Sequence, residues 1–295
     1  MQHPDQKVRL TVTVVLVVCA LLTTFGTPLI VKTILPEIID NQLAKFEKMS
    51  SSDNPEEVKK APLIEDTPYL VSFFYPFWLA LSMFGGVVIL VIAKSFYEGK
   101  KWSRGVALLA TSIPSMGGAY MLIPWINFVG FGKGFPFPIA VALFGLVPYF
   151  TILLAEKAEA MTKLANSMVF LALGVTGAHS FTIGHASLRF QWMHPARPLW
   201  PEGMWVLWIS TQFMWLGTIC LVLAIYFFGA KKRTGWYLAL IGGLVVTIAN
   251  TWAEIVRGTG SDYLLGAIFG LIVIVLMLVP FFRDHIFDTP AASTA

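Results

Sequence analysis

The chain has 295 residues, of which 56% are hydrophobic and only 13% charged, with 21 Lys and Arg against 17 Asp and Glu. Soluble domains carry roughly 25% charged residues, so this composition excludes an ordinary soluble domain and points to an all-α integral membrane protein in a lipid bilayer. No basic block with interleaved aromatics occurs, which argues against a nucleic-acid partner.

Runs of about 20 apolar residues suffice to cross a hydrocarbon core about 30 Å thick. Eight such runs are predicted, at 9–33, 69–96, 104–128, 136–155, 164–187, 204–229, 235–256 and 262–282. Each must satisfy its backbone internally and is therefore read as a helix. The first run follows Lys7 and Arg9 and ends in Pro28 and Pro36 without a small-residue cleavage site. It is read as an uncleaved first span rather than a signal peptide. Cys19 and Cys220 lie within apolar runs, without a CxxC or Cys–His context, so they act as small hydrophobes.

The connection at 34–68 is charged, mixed in sign and broken by Pro. It is expected to form a short amphipathic helix and then a mobile tether. Pro114 and Pro124 in the third span and Pro148 in the fourth are expected to kink those helices. The loop VGFGKGFPFP, with Gly130, Gly132 and Gly134, reads as a flexible connection. The connection 188–203 continues into the sixth span as FQWMHPARPLWPEGMW, with three Trp and three Pro. It reads as a stiff aromatic cover at the headgroup level.

Basic residues punctuate alternate connections: Lys7 and Arg9, Lys94 to Arg104, Lys157 and Lys163, Lys231 to Arg233, and Arg283. By the positive-inside rule these lie in the cytoplasm, with both termini, and the protein is placed in the cell inner (plasma) membrane.

Two stretches look alike. YEGKKWSRGVALLA (Tyr97–Ala110) resembles FGAKKRTGWYLALI (Phe228–Ile241), and ALFGL at Ala142 resembles AIFGL at Ala267. Gly86 is matched to Gly217 and Ala93 to Ala224. This predicts two tandem four-helix repeats, 1–160 and 161–295, with like orientation.

The halves differ in one respect. The seventh span carries Thr247, Asn250, Thr251, Glu254 and Arg257 at steps of one, three and four, a polar stripe on one helical side. The third span offers Ser115, Gly118, Ala119, Leu122 and Trp125 instead. A charge in lipid costs several kcal/mol unless it meets protein or water. His179 and Gln212 fall at a similar depth, about 12 Å from the same surface. The expected site is therefore a polar pocket of His179, Gln212, Asn250, Thr251, Glu254 and Arg257. The competing structural reading is an i,i+3 Glu254–Arg257 ion pair with ordinary interhelical bonds.

His179 and His185 lie six residues apart and do not share a helical face. A metal site would therefore need His185 and His194 with a carboxylate. FTIGHASLRF resembles the second motif of the type 2 phosphatidic acid phosphatases, and TWAEIVRGTGSDYLLGAIFG their third. Trp252 stands at that family's Arg position and Gly258 at its nucleophilic His position, so its phosphoryl transfer is not implied.

No cofactor is specified by any motif. Three functions remain: a non-enzymatic accessory or scaffold subunit, bound to other membrane subunits or to a second copy; a small-solute or proton-coupled transporter; and an outward-facing membrane enzyme or redox/metal protein.

Overall fold

The computed structural model describes residues 5–188, 204–258 and 262–287. Among these every regular element is a helix.

Helix α1 (Gln6–Leu21) starts where the Asp5 carboxylate accepts the Lys7 N–H at 2.7 Å, an ordinary N-cap. It runs through a π-helical turn, Leu22–Gly26, into α2 (Thr27–Ser50). The turn has a local cause. Pro28 has no N–H to return to the preceding turn. The Thr23 and Thr24 hydroxyls donate to the Cys19 and Ala20 carbonyls, each at 2.8 Å, so the irregular backbone is not left bare.

The result is one rod, Gln6–Ser50, of 45 residues. At 1.5 Å per residue it is about 68 Å long, twice a hydrocarbon core. The expected tether at 34–68 is thus largely corrected. Its first part continues the membrane helix to Ser50, because Ile34 and Ile38 keep an apolar face buried against α5. Short helices α3 (Pro55–Lys60) and α4 (Pro62–Glu65) then lead into α5.

The remaining helices are α5 (Thr67–Tyr97), α6 (Lys101–Phe128), α7 (Pro138–Leu154), α8 (Ala160–Leu188), α9 (Met204–Gly229), α10 (Thr234–Arg257), α11 (Asp262–Leu278) and α12 (Pro280–Phe287). Helices α6 and α7 continue through Pro114, Pro124 and Pro148. The Gly130–Gly134 connection contains a 3-10 turn, with φ of 81° and 114° at its two end glycines.

Among the described residues six helices are long and apolar enough to cross a membrane: the Gln6–Ser50 rod, α5, α6, α8, α9 and α10. The pair α11–α12 makes a seventh if its 69° bend belongs to one span. Of the eight spans expected, six to seven are thus met by length and apolarity among the described residues. Helix α7 has 17 residues, about 25 Å. Helix α11 stops at Leu278, before Pro280 turns the chain.

Small residues set the helix crossings. A Cβ on Gly145 of α7 would overlap Ser115 Oγ and the Thr111 carbonyl of α6. A Cβ on Gly270 of α11 would overlap Thr247 Oγ1 and come 2.9 Å from the Gly243 carbonyl of α10. Gly85 of α5 sits against the Ala110 carbonyl of α6, and Gly217 of α9 against that of Gly242 of α10, at 2.8 and 3.4 Å from an added Cβ. Close backbone approach of this kind is the usual basis of helix association in lipid.

The helices before and after residue 160 meet where α6 crosses α9. An added Cβ on Gly229 would lie 2.7 Å from the Gly105 Cα. Beside this contact the buried Arg104 guanidinium pairs with Glu156 and donates to the Gly229 carbonyl at 2.6 Å.

Candidate functional site

The polar chemistry collects at the Ser187 end of α8, where α8 packs on α6, α9 and α11. The residues Thr176, Ser180, Ile183 and Ser187 follow helical spacing and form one stripe. Its two ends are anchored on α11. The Thr176 hydroxyl donates to the Phe269 carbonyl at 3.3 Å, and Ser187 Oγ pairs with Tyr263 OH at 2.6 Å. Between them Ile183 packs with Met214, Ala249, Ala253 and Tyr263.

His185 turns to the opposite side, toward the first half of the chain. It is buried, its Nδ1 lies 3.3 Å from Tyr120 OH, and its ring stands 4.7 Å from that of Phe74. Phe181, Trp215 and Trp78 close the surrounding aromatic cluster. Trp215 fits there because Gly184 has no side chain: an added Cβ would lie 2.6 Å from Nε1. The indole N–H donates to the Phe181 carbonyl at 3.3 Å. An open apolar cavity of about 500 Å³, lined by Phe73, Phe74, Phe77, Phe181, Leu188 and Trp215, adjoins the cluster.

The six residues of the expected pocket divide. Asn250 is fully buried; its Nδ2 donates to the Val246 carbonyl at 2.9 Å, and its carboxamide lies over Gly266 of α11. His179 is half-buried with its ring on Phe269, at a centroid distance of 5.2 Å. Glu254 is half-buried one turn beyond Asn250. Gln212, Thr251 and Arg257 are exposed on the outside of α9 and α10, so they do not line the core with the other three.

Only one member of the expected metal pair is described. His185 is not part of a loop but a core residue of α8, and His194 lies outside the described residues. Among the described residues no three His, Cys, Asp or Glu side chains come together as a metal site.

Sequence reasoning missed Tyr120, Ser180, Ser187, Tyr263 and Arg104. The spacing of Thr176, Ser180 and Ser187 was a usable signal; nothing local marks Tyr120, whose role depends on a residue 65 positions away. Comparison with family models, curated proteins and solved structures gives no match to this chain.

Proposed function

We propose that this chain is a non-enzymatic integral membrane subunit that holds a membrane helix of a partner protein against α9 and α10. The observation that carries the reading is Gln212. Its carboxamide is exposed on α9, eight residues from the helix start, or about 12 Å along the axis. Around it on the same surface are Trp205, Phe213, Leu216 and Ile219, with Thr251, Trp252 and Ile255 on α10. Trp205, Val206, Trp252, Ile255 and Val256 line a shallow apolar notch between the two helices. An amide turned toward hydrocarbon at this depth is costly and is relieved by a hydrogen bond to another helix.

Two further features accompany this reading. A duplicated four-helix unit is supported by the matching crossings, Gly145 on Thr111 and Ser115 beside Gly270 on Gly243 and Thr247. The crossings Gly85 on Ala110 and Gly217 on Gly242 match in the same way, which favours Gly85 over Gly86 as the partner of Gly217. Orientation in a plasma membrane with both termini in the cytoplasm is supported by the basic residues flanking α5, α6 and α10.

The test is Gln212→Leu in the native host. Blue-native electrophoresis and native mass spectrometry of gently extracted membranes should show wild-type chain in a larger complex and the variant released from it, with an unchanged amount of folded protein. A wild-type chain that runs alone, or a variant that stays in the complex, overturns the reading.

A small-solute or proton-coupled transporter is the second reading. It is favoured by the polar atoms that Asn250, His179 and Ser180 bury in the second half.

A further inference from the structure

Between the start of α10 and α12 lies a polar cavity of about 310 Å³, lined by Arg233, Trp236, Tyr237, Arg283, Asp284 and Phe287. The subunit reading does not use it. It lies beyond Gly229, at the opposite end of α9 from Gln212, so neither proposal depends on the other.

Three contacts hold its walls. The Lys231 ammonium donates to the Ile286 carbonyl at 3.0 Å, which ties the turn before α10 to α12. The Trp236 indole N–H donates to the Met277 carbonyl at 2.8 Å, which ties α10 to the last turn of α11. The Phe287 ring lies 5.8 Å from that of Phe228 at the end of α9. With the chain bent by 69° between α11 and α12, Arg283 and Arg233 share one cavity.

Charge narrows the ligand. Two guanidinium groups line the cavity against one carboxylate, so its net charge is positive. Asp284 lies 3.4 Å from Arg283 Nε, with the two side chains 48% and 55% exposed, and Arg233 adds the second cation. Guanidinium grips phosphate oxygens through paired N–H groups. A zwitterionic head would carry its own cation into a cavity that already holds two. Trp236 and Tyr237 supply the amphipathic rings found at the headgroup level. From Tyr237 an exposed stripe of Ile241, Leu244 and Ile248 continues along α10, at steps of three and four. Acyl chains can lie on that stripe, whereas a free phosphate makes no use of it. Basic pockets between helix ends are a recurrent seat for acidic lipid heads.

We infer that the cavity between α10 and α12 is a site for the phosphate head of an anionic phospholipid. Arg233 and Arg283 grip the phosphate, and the chains lie along Tyr237, Ile241 and Leu244.

The test is native mass spectrometry of the full chain in mild detergent, titrated with dioleoyl phosphatidylglycerol, dioleoyl phosphatidylcholine or inorganic phosphate. The wild-type chain should bind the glycerol lipid more tightly than the choline lipid, and inorganic phosphate should not displace it. Arg233→Gln and Arg283→Gln should each weaken phosphatidylglycerol binding about fivefold, equivalent to ~1 kcal/mol. Asp284→Asn should strengthen it, a shift that mere damage to the fold does not produce. Lys94→Gln with Lys101→Gln, which removes two exposed charges outside the cavity, should leave it unchanged. Equal binding of the two lipids, arginine variants that bind like wild type, or a lysine variant weakened as much as the arginine variants overturns the proposal. Displacement of the lipid by inorganic phosphate overturns it in favour of a free anion.

Discussion

The Arg104–Glu156 pair lies within the first half and holds the guanidinium that reaches across to the Gly229 carbonyl of the second, so it tests that junction. The Arg104 side chain is 7% exposed and that of Glu156 17%, so the two partners are not equally free to rehydrate. Glu156→Gln keeps shape but leaves a buried guanidinium held by the Gly229 carbonyl. Breaking one side of a buried pair costs about 3–5 kcal/mol. Arg104→Met removes the charge and roughly fills its volume, and the Glu156 carboxylate left behind reaches solvent more easily. That variant should lose about 2–3 kcal/mol, mainly the pair and the hydrogen bond to Gly229. The combination Arg104→Met with Glu156→Gln leaves no buried charge and should recover part of the loss, ending less destabilised than Glu156→Gln alone.

In thermal unfolding followed by tryptophan fluorescence in detergent, a loss of about 3 kcal/mol lowers the midpoint by roughly 6–12 °C. High salt should alter the wild-type midpoint little, because a buried pair is weakly screened. The reasoning fails if Glu156→Gln is as stable as wild type, or if the double variant is as unstable as the two single losses added.

Further expectations concern the backbone. Gly145→Ala and Gly270→Ala should each cost about 1–3 kcal/mol, because both added methyls would meet backbone atoms of the neighbouring helix as well as hydroxyls. A midpoint unchanged in both variants would show that the crossings are looser than described. Gly258 closes α10 with φ of 59° and open space around its Cα. Gly258→Ala should therefore destabilise by about 1 kcal/mol through backbone strain alone, and Gly258→Asn by less; equal stability of all three proteins in the same melt would refute that reading.

The helical class and most helix positions are legible in the chain alone, because apolar length and internally bonded backbone leave few alternatives in lipid. The sequence also marked the contrast between Asn250 and Gly118, since composition along one helix is visible without a fold. It expected eight spans, and six to seven helices among the described residues have the length and apolarity of one, α7 having 17 residues and α11 ending before Pro280. It misread 34–68, because buried Ile34 and Ile38 carry a helix through a charged stretch only when α5 stands beside it. Helical spacing placed Thr251 and Arg257 on the Asn250 side, yet a helical face is wide, and packing against α11 buried Asn250 while leaving the other two outside. The pairings Arg104 with Glu156 and Gly229, His185 with Tyr120, and Ser187 with Tyr263 join residues up to 125 positions apart. Packing sets these pairings, because chain spacing fixes direction around one helix axis but not which helix stands opposite.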